Sequence, residues 1–334
     1  MKEVATMADV SIMTVSRVLN NNKVSEDAYR RVMDAVKTLN YRLNVSARSL
    51  SGSQSYLIGF FYDSSLGSYI SQYLLGVLRR SNELGYHLVL ESCDYAADNL
   101  DDIITRLTGR YMLDGIILPP PLSEYLPLLD ALDEAGLRYV RVGPGLDLER
   151  SPYVTIDDYQ ASFEMTEHLI SAGHKHIGFI KGDARQGVAA IRFKGFCDAL
   201  EKHKITLNEK LVAEGDFEFS GGMLACEQIL NTGDTVTAIF ASNDDMASAV
   251  IFTLQKFGLR VPEDVAVAGF DDTSIARSVW PPLTTIKQPI DEMSVHSVDL
   301  LMETIKADQL FDMRLDKHEL LPHKLIVRGS TLKS

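Results

Sequence analysis

Glu3-Val-Ala-Thr-Met-Ala-Asp-Val-Ser-Ile-Met-Thr-Val-Ser-Arg-Val-Leu-Asn20 reads as two short helices joined by a tight turn. Ser11 is placed to N-cap a helix beginning at Ile12, because its hydroxyl can accept from an N–H that the first turn leaves open. On that helix Ile12, Met13, Ser16 and Arg17 share one face, and Val15, Val18 and Leu19 share the other. The valine face needs a neighbouring helix to cover it; the opposite face is then left to enter a DNA major groove. Arg17 can bond a guanine edge or a phosphate, and Ser16 suits a phosphate. Ile12 and Met13 cannot hydrogen-bond a base and favour thymine methyl groups. A further helix carries Val32, Val36 and Leu39 on one face. Residues 1–43 therefore read as an all-α unit, either a helix-turn-helix head or an ordinary three-helix packing unit.

The charge distribution bears on that choice. The chain of 334 residues carries a net −13, which by itself argues against a nucleic-acid partner. Residues 1–55, however, hold eight Lys or Arg against five Asp or Glu, a surplus of three, which leaves −16 on the remainder. A basic head on an acidic body suits a local phosphate contact. With 46% hydrophobic and 24% charged residues the composition is that of a soluble globular protein. No segment approaches the roughly 18–20 apolar residues of a membrane span, and the first residues lack the apolar region of a secretory signal. Cys93, Cys197 and Cys226 are far apart and odd in number, which suggests a reducing compartment without a disulfide framework. A cytoplasmic protein is expected, with no membrane partner.

Residues 44–55, Asn-Val-Ser-Ala-Arg-Ser-Leu-Ser-Gly-Ser-Gln-Ser, are small and polar and mark a linker. Beyond it, short apolar runs bounded by turn residues alternate with amphipathic stretches. The runs are 57–61, 87–90, 115–118, 139–142, 153–156, 176–180, 211–213, 238–241 and 265–268. Helical stretches at 69–84, 159–172, 193–203 and 244–257 fall between them. Alternating strand and helix implies an α/β core of parallel sheets with helices on both faces. Nine strands exceed one comfortable sheet, so two lobes are expected, meeting near residues 155–160. Lobe 1 is expected over about 56–157 and 289–312, and lobe 2 over about 158–288 and 313–331. Ligands of doubly wound sheets sit beyond the carboxyl ends of the strands, which places a cleft between the lobes.

Thr14-Val-Ser-Arg-Val-Leu-Asn20, Val24-Ser25 and Leu39-Asn-Tyr41 follow in an order and spacing that resemble the DNA-binding head of the lactose-repressor/galactose-repressor family of bacterial regulators. The core resembles the same family over roughly residues 56–331. Its matching stretches are Gly173-His-Lys-His-Ile-Gly-Phe-Ile180, Ala241-Ser-Asn-Asp244, Val261-Pro-Glu-Asp-Val-Ala-Val-Ala-Gly-Phe-Asp-Asp272 and Pro281-Pro-Leu-Thr-Thr-Ile-Lys-Gln-Pro289. The resemblance implies the two-lobed fold of periplasmic sugar-binding proteins. Two departures stand out. Family members carry several residues before the first helix, so this helix is expected to lack its usual N-cap, and an upstream true start is left open. The turn glycine is replaced by Asp9, which tolerates the left-handed conformation better than most residues.

By the same resemblance, Asn44–Leu50 is a hinge helix. Leu50 is the wedge in the minor groove at the operator centre, Ala47 allows close approach, and Asn44 and Arg48 make polar contacts. Unstacking a base step costs a few kcal/mol and is offset by contacts to the bent duplex. Seven residues make a marginal helix, so it should form only against its dimer mate on DNA. From its residues alone the segment reads equally as a flexible tether. Leu50→Ala is expected to weaken operator binding while effector affinity holds.

Several polar residues stand just beyond strand ends: Asp271 and Asp272, Asn243 and Asp244, and Arg192 on the following helix. A polyhydroxyl ligand needs carboxylates to accept from hydroxyls and a guanidinium to donate in pairs. The resemblance makes Arg192 and Asp271 the central polar pair, with Asn243 beside them, Asp63 near the first strand's end and Phe217 at a ring-stacking position. Tyr69 and Trp280 are further aromatic walls, although Trp280 reads equally as core packing. Asp244 is expected to cap a helix. His174 and His176 lack a third ligand at metal spacing and read as structural. Pro119 stands where some sugar-binding members carry a polar side chain.

An enzyme is the first rival, but no G-x-G-x-x-G, P-loop, G-x-S-x-G or zinc motif is present; no cofactor and no catalytic residue is expected. A sugar-binding protein without a DNA role is the second, opposed by the head. The expected function is a repressor whose affinity for a pseudo-palindromic operator is set by an effector between the lobes. The effector is a mono- or disaccharide or sugar phosphate, with a purine as the alternative. Two chains should pair through the core, chiefly the first lobe, and no heptad-patterned tail follows, so a homodimer is expected.

Overall fold

The structure, a computed structural model, describes residues 2–19, 24–39, 54–63, 67–93, 103, 105, 112–311 and 317–332. It divides into two compact units, residues 1–55 and residues 56–334.

Among the described residues the first unit holds three helices, α1 (Lys2–Met7), α2 (Ile12–Leu19) and α3 (Glu26–Thr38). Ser11 Oγ accepts from the backbone N–H of Thr14 at 3.0 Å and so caps α2. Ser25 caps α3 by accepting from Ala28 N–H, with Glu26 and Asp27 in the first turn and Lys37 in the last, the polarity that the helix dipole favours. Asp9 takes φ +48° in the turn between α1 and α2. Its carbonyl accepts from Arg31 of α3 at 3.3 Å, which ties the strained turn to the third helix. Val4, Ala5, Ala8, Val15, Val18, Val32 and Ala35 form the core, edged by Val10, Val24, Val36 and Leu39. The valine face of α2 is thus spent on packing.

In the second unit the nine apolar runs coincide with strands β1 (Leu57–Tyr62), β2 (His87–Ser92), β3 (Gly115–Leu118), β4 (Tyr139–Val142), β5 (Tyr153–Ile156), β6 (Ile177–Ile180), β7 (Val212–Ala213), β8 (Ala238–Ala241) and β9 (Ala266–Asp271). Three more, β10 (Thr284–Lys287), β11 (His318–Leu321) and β12 (Lys324–Ile326), complete two six-stranded sheets. The strand orders are β11-β5-β4-β3-β1-β2 and β12-β10-β9-β8-β6-β7. Every pairing is parallel except that of β10 with β12, which is antiparallel.

Successive strand residues enter opposite cores, as the twofold side-chain period requires. In the first lobe Ile58, Phe60 and Ile117 pack with Tyr73 and Val77 of α4 (Ser68–Glu83) and with Met293, Leu300 and Leu301 of α11 (Ile290–Phe311). Phe61, Ile116 and Leu118 pack on the other face with Leu128, Leu129 and Leu132 of α5 (Leu126–Glu134). In the second lobe Phe179, Phe240 and Phe270 meet α6 (Asp158–Ser171) and α7 (Gly187–Lys202). Ile180, Ile239 and Val267 meet α8 (Phe219–Asn231) and α9 (Asp244–Lys256). A short α10 (Ser274–Ser278) follows β9.

The chain crosses between the sheets three times: after β5, after β10, and between β11 and β12. This corrects the expected lobe limits, because residues 318–321 belong to the first sheet rather than the second. The edge strand β11 pairs with β5, and Pro322-His323 carries the chain across to β12. Helix α7 starts at Gly187, six residues earlier than the apolar pattern suggests, so Arg192 lies in its second turn.

Candidate functional site

A cavity of about 350 Å³ opens between the lobes, lined by residues at the carboxyl ends of both sheets. Asp63 follows β1, Pro120 and Pro121 follow β3, and Gly143 follows β4. Asp158, Asp183, Phe217 and Asn243 follow β5 to β8 in turn, Asp271 ends β9, and Gln288 follows β10. Loops at this end of a parallel sheet converge because each strand must turn there into its crossover.

Arg192 is held by an ion pair, a carbonyl and two aromatic rings. Its Nε donates to Asp158 Oδ1 at 2.7 Å and its Nη1 to the Ser242 carbonyl at 2.6 Å. Its guanidinium lies 3.6 Å from the centroid of Phe270 and 5.8 Å from that of Phe217. Arg192 and Asp158 are both buried, so the ion pair is desolvated. Such a pair fixes geometry more than it stabilises the fold. Burial pushes the Asp158 carboxyl up and Arg192 pulls it back down.

Asp271 ends β9 with φ +120°. Its Oδ1 accepts from Gln288 Nε2 at 2.7 Å. Burial raises its carboxyl well above the ordinary range, Arg192 opposes this, and Asp244 adds to it. The next residue, Asp272, also has positive φ (+56°) and is held by Arg328 at 2.6 Å. Asn243 uses its Oδ1 to cap α9 at Met246 N–H and its Nδ2 to hold the Phe217 carbonyl at 2.7 Å. Phe217, at φ +68°, lays its ring over Gly182, where a Cβ would stand 1.9 Å from Phe217 Cζ. Tyr69, in the first turn of α4, packs 5.9 Å from the ring of Tyr73; burial raises its phenol, and Tyr73 and Asp271 add to the rise.

Six of the seven expected effector residues (Asp63, Tyr69, Arg192, Phe217, Asn243 and Asp271) line this one cavity. Trp280 does not. Its side chain is 79% exposed, and its backbone carbonyl accepts from Gln255 on α9, which turns the loop outward. The capping assignment is also corrected. Asn243 caps α9, whereas Asp244 is buried beneath β9 and β10, accepting from Thr273 N–H at 2.8 Å and Thr285 Oγ1 at 2.6 Å. His174 is buried with Nδ1 against Thr237 Oγ1, as a structural histidine would be.

The sequence reading missed Asp158, Asp183, Asp216, Glu218, Asp245 and Gln288, all in the lining. Asp158, Asp183 and Asp216 stand just past strands that were recognised, so the rule that found Asp271 could have found them too. Gln288 follows β10, whose buried Thr284 and Thr285 hide it from an apolar-run search.

Two carboxylates tie the lobes together beside the cavity. Glu124 of the first lobe accepts from Gly145 N–H at 2.8 Å within its own lobe and from Gly187 N–H at 2.7 Å across the cleft. Gly187 opens α7, so this is an anion at a helix N-terminus. Burial raises the Glu124 carboxyl, and the N–H groups of Gly187 and Gly145 counter it. In the reverse sense, Asp245 of the second lobe accepts from Ser68 Oγ at 2.7 Å and Ser68 N–H at 3.3 Å at the start of α4, a helix with no side-chain cap of its own.

In the helical unit, Ile12 and Met13 are 46% and 67% exposed, beside exposed Arg17 and half-buried Ser16. All four occupy the side of α2 opposite Val15 and Val18. The hinge assignments Asn44, Ala47, Arg48 and Leu50 lie outside the described residues.

Comparison with known proteins follows this division. Residues 1–44 match the family described as bacterial regulatory proteins, lacI family, and residues 166–331 match the periplasmic binding protein-like domain. The HTH-type transcriptional repressor PurR of Haemophilus influenzae (strain PittEE) is 33% identical over 98% of this chain and 97% of its own length. The HTH-type transcriptional regulator AscG of Escherichia coli (strain K12) is 36% identical, over 88% of each. Among solved structures, the transcriptional regulator CelR in complex with cellobiose superposes with a TM-score of 0.76 at 30% identity, over 98% of both chains. The Lac repressor dimer bound to operator and the anti-inducer ONPF gives 0.78 at 28% identity, over 99% of this chain and 98% of the other. Among the described residues no helix is long and apolar enough to cross a membrane.

Proposed function

Because the chain belongs to the lacI family of bacterial regulatory proteins, we propose that it is a cytoplasmic, non-enzymatic transcriptional repressor whose operator affinity is set by a sugar bound between its lobes. The observation that carries the sugar reading is the composition of the cavity wall. Carboxylates from both lobes, including Asp63, Asp158 and Asp271, stand beside Tyr69 and Phe217. Sugar hydroxyls donate to carboxylates, and the apolar face of a sugar ring packs on an aromatic. The volume falls within the range of about 300–1,000 Å³ typical of small-ligand sites.

Residues 1–43 form the reading head, with Ile12, Met13, Ser16 and Arg17 in the major groove. Residues 44–55 form the hinge, with Leu50 as its wedge and Asn44, Ala47 and Arg48 at the minor groove. Residues 56–331 bind the effector and pair with a second copy. Twofold pairing presents two heads to a pseudo-palindromic site, and closure of the cleft changes the spacing of the two hinges. Coupling is reciprocal, so operator DNA alters effector affinity by the same factor.

A purine effector is the second reading, favoured by the likeness to proteins named PurR. A purine offers fewer donors than a sugar, and its ring nitrogens need donors in return, which this acid-rich wall supplies sparingly. The test is a thermal-shift screen of the protein against mono- and disaccharides, sugar phosphates and purines. Operator binding is then followed by fluorescence anisotropy with and without the hit. Stabilisation by a sugar that also changes operator affinity is the expected result; stabilisation by purines alone would overturn the sugar reading.

A further inference from the structure

The cavity has a pronounced charge imbalance. Among the described residues seven carboxylates line it against two guanidiniums, Arg185 and Arg192, with no lysine or histidine. Both guanidiniums are turned toward the protein's own acids. Arg192 holds buried Asp158 and the Ser242 carbonyl. Arg185 donates from Nε to both oxygens of Asp183, at 2.9 and 2.8 Å. Asp245 is engaged by Ser68 of the opposite lobe. Three of the acids stand together at one part of the wall: Asp63, Asp216, and Asp183 with its Arg185 partner. Burial raises the Asp183 carboxyl, and the nearby charges of Asp216 and Asp63 raise it further. These three carboxylates come from different strand ends, and from both lobes, and they face the same space.

Resting on the reading of this cavity as the effector site, we propose that it selects an uncharged polyhydroxyl ligand and rejects the phosphorylated or carboxylated form of the same sugar, with Asp63, Asp183 and Asp216 as the excluding group. An anion entering here loses its water and meets like charges, and both guanidiniums among the described lining residues already hold carboxylates. Like-charge juxtaposition is an effective way to refuse a wrong partner. A neutral sugar meets the same carboxylates as hydrogen-bond acceptors. Specificity therefore lies in what the wall repels as much as in what it binds.

Two measurements on the full chain test this. The first needs no effector. Paramagnetic relaxation of the amides of Gly143 and Val188, both in the wall, is compared for a cationic nitroxide (4-amino-TEMPO) and an anionic one (4-carboxy-TEMPO). Several-fold stronger relaxation by the cation is expected; equal relaxation, or an excess from the anion, overturns the proposal. The second is calorimetry with matched pairs: trehalose and trehalose 6-phosphate, cellobiose and cellobiose 6′-phosphate, hypoxanthine and inosine 5′-monophosphate. In any pair that binds, the neutral member should bind about 100-fold or more tightly than the anion. A phosphorylated member that binds as tightly as its parent overturns it. Asp183→Asn combined with Asp216→Asn should narrow that ratio about tenfold; an unmoved ratio removes these residues from the role. A hit confined to hypoxanthine, with its nucleotide rejected, would end the sugar reading and leave charge selection standing. A bound sugar with an equally bound phosphate would do the reverse.

Discussion

Replacing Gly145 with alanine adds one methyl group where the two lobes meet backbone to backbone. A Cβ at this position would stand 2.6 Å from Gly187 C, 2.8 Å from Val188 N and 2.9 Å from Gly187 Cα. All three atoms are main chain at the start of α7 on the opposite lobe, so no side-chain rotation relieves the clash. Overpacking of this kind costs about 1–3 kcal/mol. The cost falls on the closed arrangement alone, since parted lobes leave the methyl in solvent. The same closure carries the Glu124 bond to Gly187 across the cleft. If the effector binds the closed lobes, the penalty appears in full as lost affinity, a factor of about 5–150. Calorimetry with the most stabilising sugar from the screen measures it directly. Each lobe keeps its own core, so thermal unfolding without effector should move little. Unchanged effector affinity would refute the reasoning, and so would an affinity loss matched by an equal collapse of the unliganded fold.

Other outcomes follow from the same geometry. Arg192→Ala should abolish the effector response while basal operator binding persists, and it should also lower the melting temperature, because buried Asp158 is left without its counter-charge at a cost of about 3–5 kcal/mol. Adding Asp158→Asn should restore most of the stability but not the response; a variant that still responds removes Arg192 from the site. In the head, Val15→Ala should destabilise by about 2 kcal/mol, seen as faster hydrogen exchange in α1 to α3. Met13→Ala should leave stability within about 0.5 kcal/mol and weaken operator binding by anisotropy; intact binding would take Met13 off the reading face. Burial pushes the Asp244 carboxyl up to about 7, against the bonds from Thr285 and Thr273. The folded chain then binds the extra proton between the ordinary carboxylate range and neutrality, so its stability falls as pH rises through that window, by up to about 1.4 kcal/mol per pH unit. Asp244→Asn should remove this slope, and its melting temperature should gain on the parent between pH 5 and pH 8. A difference constant with pH would refute the assignment.

The α2 helix was fully legible because a cap, a period and a charge all pointed the same way in one stretch of eighteen residues. Strands β1, β3, β6 and β8 were legible because a strand buried on both faces reads as a near-continuous apolar run. The three that escaped break that rule for physical reasons. Strand β10 buries two threonines whose hydroxyls are satisfied, Thr285 by Asp244 and Thr284 by Thr331. β11 is an edge strand with alternate exposure, and β12 is three residues long. In the site, Arg192 and Asp271 were legible through the family resemblance, whereas the Arg192–Asp158 pair was not, because it joins residues 34 apart in sequence. Trp280 was misplaced because composition cannot say which way a loop turns. Asp244 was misread as the cap for a similar reason: either it or Asn243 could cap, and only the placement of Thr273 and Thr285 shows that Asp244 is drawn inside.

The three crossings between the sheets also set the order in which the molecule can be made. The first lobe begins at β1 but draws Met293, Leu300, Leu301 and Ile305 of α11 into its core, and takes its last strand from residues 318–321. A ribosome delivers chain from the amino end, and domains fold as their segments emerge. The head has every residue of its core once α3 is out. The first lobe waits for the cover that α11 gives to β3, β4 and β5 until nearly the whole chain has been synthesised. Truncation within the last few dozen residues should therefore damage the lobe encoded first, so a nascent or clipped chain would carry a finished reading head on an unfinished body.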